Sequence, residues 1–243
     1  MNEKTGKGKR TMIQERKAEN RQLVEGQGFE TKKSVLEEDP LDGEWKALRI
    51  LKGVDETRMD AGASLPKHVH KDAEMLSFIL EGQLEHEDNF RHLSMLNAGD
   101  VQKISAGSGI EHIERNPSFS APVRFIQISF KPDKPGLKPG YEWKTFSKDE
   151  KKGRMLLIAS GDRADGSLFL RCDANVYESM LDKGEEAFYS LGPGRSAWLQ
   201  VLKGSLMANG IRLDAGSGAA IFDEETLSFE GRQDCEFLFV DLG

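Results

Sequence analysis

Short apolar runs broken by glycine, proline and asparagine recur along most of the chain, and their length and spacing predict strands rather than helices. In the first half the runs are Trp45 to Leu51, Met75 to Leu80, Val101 to Ile104 and Val123 to Phe130. In the second they are Met155 to Ala159, Leu168 to Cys172, Asn175 to Leu181, Ala197 to Leu202 and Glu236 to Leu242. Asn209-Gly210, set between Ala208 and Ile211, supplies the two residues that a type I′ hairpin turn needs. Many short strands with frequent turns fold as sandwiches or barrels, so the fold class is all-β. Two stretches depart from the pattern. Residues 13–24 mix charged and apolar side chains in the manner of a short helix, which Gly26 and Gly28 would end. Residues 131–140 hold Pro132, Pro135 and Pro139 with Gly136 and Gly140, which interrupts any strand and predicts a domain boundary. The expected organisation is a polar, basic, flexible tail over 1–11, one domain over 12–135 and a second over 136–243.

The two domains resemble each other. Phe78-Ile79-Leu80-Glu81-Gly82-Gln83-Leu84 matches Gln200-Val201-Leu202-Lys203-Gly204-Ser205-Leu206, and Ala98-Gly99 recurs as Ala215-Gly216. The first match sets an offset of 122 (Gly82 to Gly204), which carries Gly62 onto Gly184 and puts Ser190 and Gly192 where His68 and His70 stand. The second sets an offset of 117 (Gly99 to Gly216) and puts Phe229 and Gly231 opposite His112 and Glu114. A duplication is implied, and whatever His68, His70, His112 and Glu114 do, the second copy cannot do it.

Composition narrows the function classes. At 243 residues the chain has room for one large β domain or two of ordinary size. Its 34 basic and 41 acidic residues offer no field for a nucleic acid, so direct nucleic-acid binding is not expected. Cys172 and Cys235 lie far apart and read as free thiols in a reducing compartment. No run approaches the roughly 20 apolar residues of a membrane span, and the first residues lack the apolar stretch of a secretion signal. A cytoplasmic protein that makes no membrane contact is the expectation.

All five histidines fall at positions 68, 70, 86, 92 and 112. His68-Val69-His70 is a His-x-His pair and His112-Ile113-Glu114 a His-x-Glu pair. Residues two apart on a strand share a face, so each pair presents both side chains to one side. If the two strands lie together, three imidazoles and a carboxylate converge. Neutral imidazole with carboxylate suits iron, copper, nickel, manganese, cobalt or zinc, and without thiolates a closed structural zinc site or an iron-sulfur cluster is not expected. His86 reads as a satisfied histidine at the edge of such a pocket, His92 as an exposed hairpin residue, and Glu111 as facing away from His112. Ala106-Gly107-Ser108-Gly109 lacks the full nucleophile-elbow pattern, and Gly192-Pro193-Gly194-Arg195 has no lysine at phosphate-loop spacing, so both read as turns.

Gly62, His68, His70 and Glu74 followed by Gly82 resemble the first cupin motif, and Gly99, Gly107, Gly109, His112 and Asn116 the second. Residues 68–75, 80–88 and 105–117, with Asp165-Gly166-Ser167-Leu168, Trp198-Leu199-Gln200-Val201 and Asn209-Gly210, resemble the pirin family of bicupins over roughly residues 40–243. The resemblance implies two tandem cupin barrels, each a double-stranded β-helix or jelly roll. It implies one divalent metal held by His68, His70, His112 and Glu114 in the first barrel, and none in the second. Iron(II) is the first expectation for that metal, with copper, manganese, nickel, cobalt and zinc as alternatives. In cupins at large a first-motif glutamate is often a ligand, which makes Glu74 the rival for the fourth position. Val69 departs from the proline usual between the two histidines. The activity implied is that of a quercetin 2,3-dioxygenase acting on a small aromatic substrate and O2, with Glu114 as ligand and base. The alternative the resemblance carries is a metal- or redox-sensing regulator that binds a partner protein. A monomer is expected.

Overall fold

A computed structural model describes residues 12–35 and 48–243, and these form two β-barrels built from the same plan. The first barrel has a seven-stranded sheet in the order Gly140–Thr145, Asp100–Ser105, Glu74–Glu81, Val123–Phe130, Leu51–Met59, Phe29–Val35, Gln22–Gly26. Facing it is a four-stranded sheet in the order His68–His70, Ile110–Arg115, Gln83–Asp88, Leu93–Asn97. The second barrel repeats this with Met12–Arg16, Gly218–Phe222, Ser196–Lys203, Cys235–Leu242, Ala174–Leu181, Leu156–Ser160, Leu168–Phe169. Its smaller sheet is Glu186–Ser190, Thr226–Gly231, Ser205–Ala208, Ile211–Asp214. No helix among the described residues is long and apolar enough to cross a membrane.

Three expectations need correcting. The helix over 13–24 is absent: Met12–Arg16 and Gln22–Gly26 are strands joined by a single 3-10 turn at Ala18–Asn20. Tertiary pairing overrides local propensity there, because Met12–Arg16 adds to Gly218–Phe222 and buries Ile13 in the second barrel, while Gln22–Gly26 closes a hairpin with Phe29–Val35. The strand expected over 45–51 begins only at Leu51, after a turn over 48–50, and residues 45–47 lie outside the described residues, as does the expected tail over 1–11. The division at 135 and 136 is crossed in both directions. Met12–Arg16 belongs to the second barrel, and Gly140–Thr145, just past the prolines, pairs back onto Asp100–Ser105 of the first.

The large sheets pack face to face between the barrels. Leu76, Phe78, Ile126, Ile128 and Phe130 from the first meet Trp198, Leu238 and Val240 from the second in one continuous apolar cluster. The barrel interiors differ. The second is filled by a single cluster that includes Leu199, Phe229, Phe237 and Phe239. The interior of the first is split into two small clusters, one around Phe125 and Leu84 and one around Met75 and Ile104. The duplicated glycines mark matching turns: Gly82 and Gly204 both adopt positive φ (74° and 72°), and a Cβ at either would strike the carbonyl of Pro122 or of Asp234.

Candidate metal centre

Polar side chains occupy the gap between the two apolar clusters of the first barrel, and strand alternation puts them there. His68–His70 pairs antiparallel with Ile110–Arg115, His68 opposite His112 and His70 opposite Ile110. Val69, between the histidines, turns outward and is 65% exposed. Ile110, His112 and Glu114 turn inward, while Glu111 and Arg115 turn outward to pair with Lys67 and with Glu85 and Glu87. On the other side, Gln83–Asp88 places His86 opposite Glu114 and Asp88 opposite His112. Asn116, buried just past the strand, ties its end down by donating to the carbonyls of Asp60 and Ala121.

The three imidazoles converge. Ring centroids lie 4.5 Å apart for His68 and His112, 4.6 Å for His68 and His70, and 5.0 Å for His70 and His112. Nδ1 of His68 is 2.7 Å from the Pro66 carbonyl, which only accepts, so Nδ1 carries the proton and Nε2 keeps its lone pair. That Nε2 faces Nε2 of His112 at 3.0 Å. Nε2 of His70 and Nδ1 of His112 are buried without a hydrogen-bond partner. Burial, reinforced by the neighbouring imidazoles, pushes His70 down to about 4 and His112 to about 2, so both are neutral at pH 7. Neutral imidazoles with converging nitrogens are the state that metal ligation requires, and one ligand atom from each of the three lies within 4.8 Å of the others. The donor set fits a divalent transition metal.

Glu114 is buried, and desolvation pushes its carboxyl up to about 7, opposed by Gln102, whose Nε2 donates to Oε1 at 2.6 Å. It groups with His112 and His86 within the same 4.8 Å limit and shares only His112 with the first triad. Glu74 sits elsewhere. Its Oε2 accepts from Lys103 Nζ at 3.0 Å, Ser105 Oγ at 2.9 Å and the Arg171 backbone N–H at 3.3 Å, in the seam against the second barrel. The rival for the fourth position is therefore an ion-pair partner on the opposite face of its strand from Met75.

Sequence reasoning undervalued His86. It is fully buried, its ring centroid 5.4 Å from that of His112, and it stacks on Tyr141 at 4.5 Å with ring planes 13° apart. Asp88 Oδ2 lies 3.4 Å from His86 Nε2 and 2.8 Å from Nδ1 of His92, which also stacks against Tyr141. His92 is thus only partly the exposed residue expected. The signal was present in His86-Glu87-Asp88, the same two-residue alternation as His68-Val69-His70. Tyr141 gave no signal, because its strand lies beyond the prolines.

His70 opens on a cavity of about 670 Å3 that Asp55, Met75, Gln127 and Ser129 also line. That volume falls within the roughly 300–1,000 Å3 typical of small-molecule sites. In the second barrel the strand Thr226–Gly231 takes the place of Ile110–Arg115, with Phe229 inward as His112 is, and Phe229 faces Ala187. Register therefore sets Ala187 and Tyr189 where His68 and His70 stand, three residues before the Ser190 and Gly192 of an ungapped offset, since the segment after Gly184 is shorter than that after Gly62.

Two family models match in tandem, one described as Pirin over residues 36–129 and one as Quercetinase C-terminal cupin domain over 157–242. A protein of Escherichia coli strain K12 named quercetin 2,3-dioxygenase is 36% identical over 204 residues, 84% of this chain and 86% of that relative. The chain belongs to the pirin family. A pirin-like protein of Caulobacter vibrioides is 38% identical over 205 residues, 84% of this chain and 86% of its own length. Among solved structures, the pirin YhhW from Escherichia coli matches with a TM-score of 0.89 at 32% identity, covering 96% of this chain and 98% of that one. Its complex with nickel(II) gives 0.88 at 32% identity over 95% and 99%. The pirin fold thus accounts for both barrels.

Proposed function

We propose that this pirin is a metal-dependent dioxygenase that cleaves a flavonol such as quercetin with O2. The observation that carries the reading is that His70, part of a three-imidazole cluster, opens on a cavity large enough for a flat three-ring molecule. A narrow solvent channel in that place would have favoured a sensor. His68, His70 and His112 would hold the metal, with Glu114 as the fourth ligand. A bound divalent metal supplies Lewis acidity toward the flavonol 3-hydroxyl and a site at which O2 chemistry can proceed. The chain supplies the rest. His68, fixed through Pro66, holds its lone pair inward. Glu114, steadied at Oε1 by Gln102, takes the hydroxyl proton at its other oxygen. Burial of Glu114 keeps bulk water from its carboxylate. Names of relatives as quercetin 2,3-dioxygenases support the substrate class.

The test is oxygen uptake and carbon monoxide release with quercetin after separate loading with iron, copper, manganese, nickel and cobalt. Turnover that disappears in His112→Ala is expected, and the loading series names the working metal. Metal binding without turnover by any of the five would overturn the proposal and favour a metal-sensing regulator that binds a partner protein.

A further inference from the structure

Alternation across four neighbouring strands turns a row of polar side chains into the first barrel. Asp55, Gln127, Ser77 and Gln102 stand opposite one another on Leu51–Met59, Val123–Phe130, Glu74–Glu81 and Asp100–Ser105. Gln127 Nε2 donates to Ser77 Oγ at 3.1 Å, and Gln102 Nε2 donates both to that hydroxyl at 3.3 Å and to Glu114 at 2.6 Å. The row runs without a break from the carboxylate of the metal centre to Gln127, and Asp55 ends it. Its inner members satisfy one another. Asp55 differs: one oxygen lies 3.4 Å from Lys33 Nζ, while Oδ1 is buried and has no hydrogen-bond partner. An unsatisfied buried acceptor costs about 1–3 kcal/mol unless a ligand supplies the donor.

The next inward position on the strand is closely packed by Ser129. Gly53 is on the same strand face, opposite Ser129, and its backbone has no need of glycine, since it is not among the residues of positive φ. A Cβ there would meet Ser129 Oγ at 3.0 Å and stand 3.8 Å from Asp55 Oδ1. Glycine inside a strand with ordinary backbone angles marks a place that another group approaches, here the Ser129 hydroxyl. Asp55, Gln127 and Ser129 line the same cavity as His70.

We propose that Asp55 sets the specificity of this cavity by accepting a hydrogen bond from a hydroxyl on the substrate ring remote from the three histidines, so that the substrate is a flavonol hydroxylated on its pendant ring. The inference rests on the flavonol reading given above. A site built to accept from a hydroxyl discriminates strongly against an analogue that lacks it, because the acceptor is then left buried and unpaired.

The experiment measures dissociation constants without oxygen, by quenching of tryptophan fluorescence in the metal-loaded full chain. The probes are flavonols with two, one and no hydroxyl on the pendant ring. Wild type should bind the dihydroxylated compound about tenfold or more tighter than the unsubstituted one. Asp55→Ala should bind all three with one affinity, that of wild type for the unsubstituted compound. Asp55→Asn, which keeps an acceptor oxygen, should retain part of the ladder, and thermal melting of both variants establishes that they are folded. A full wild-type ladder in Asp55→Ala, or equal binding of the three by wild type, would overturn the role of Asp55 while leaving flavonol binding intact. Failure of wild type to bind any of them would bring down the flavonol reading and this inference together.

Discussion

Replacing Glu74 by Gln should cost the fold heavily and leave metal content unchanged. The Glu74 carboxylate is 1% exposed and the Lys103 side chain 4%, and they meet at 3.0 Å. Ser105 and the Arg171 backbone add two further donors to the same oxygen. Breaking a buried pair by neutralising one partner leaves the other charge without compensation, which costs about 3–5 kcal/mol. At about 2–4 °C per kcal/mol for a chain of this size, the melting temperature should fall by about 6–20 °C. Removing both charges together, in Glu74→Leu with Lys103→Met, should recover most of that loss, since an apolar replacement strands nothing. Circular-dichroism melting of the three proteins, with metal per chain determined by elemental analysis, makes the comparison. Because Arg171 belongs to the second barrel, the loss should appear as loosening of the seam between barrels. If Glu74→Gln instead loses its metal, with the melting temperature moved by less than about 2 °C, then Glu74 is a ligand and the four-residue set built on Glu114 is wrong.

Other consequences can be checked alongside. Gln102→Leu removes the donor that steadies Glu114, and metal affinity, measured by competition with a chromophoric chelator, should drop by about 10–100-fold. Phe229→Ala empties the centre of the second barrel, where its ring lies 5.2 Å from Phe237 and 5.5 Å from Phe239; urea unfolding should show a loss of about 3–5 kcal/mol with metal content intact. The metal-free protein should become more stable as pH rises from about 4.5 to 6.5. His70 and His112, held at about 4 and 2 in the fold against 6.5 when unfolded, each take up a proton on unfolding in that window, so their contribution is lost as pH falls. Glu114 and Glu178, raised by burial to about 7 and about 8, each release one proton and work in the opposite sense, which offsets those two histidines. His86, lowered by burial, tips the balance toward uptake. A urea midpoint that stays flat or falls between those pH values would contradict this balance.

Much of the site was legible because a strand has period two. His68-Val69-His70 and His112-Ile113-Glu114 state in sequence which side chains share a face, and pairing of the two strands completes the cluster. The repeated glycines were legible for a related reason, since a positive-φ turn beside a close backbone contact admits little else. What could not be read depends on partners distant in the chain. Ile13 becomes a strand residue only because it lies opposite Ile221. Tyr141 reaches His86 only because the chain turns back after Pro139 and aligns with Ile104. Asp55 and Gln127 face each other across a register that no local pattern encodes. Glu74 carries the motif position of a ligand, yet it points into the seam, and only burial against Lys103 reveals this.

The two barrels show why the fold does not by itself carry the chemistry. Both present inward positions at equivalent places on the same strands, and each barrel interior must be filled. In the first, the filling includes a belt of histidine, glutamate, glutamine and aspartate, several of whose polar atoms have no partner, a costly arrangement that a bound metal and substrate can satisfy. The second holds Phe229, Phe237 and Phe239, with Ala187 and Tyr189 in the places of the first two histidines and the Tyr189 hydroxyl committed to Asp241 at 2.6 Å. Its lack of a site goes deeper than side-chain identity. Gly231 stands where Glu114 would be, and a Cβ there would lie 2.5 Å from the backbone carbonyl of Asp182. The backbone has closed over the position of the carboxylate, so replacing Ala187, Tyr189 and Phe229 by histidine would still leave the second barrel without a fourth ligand.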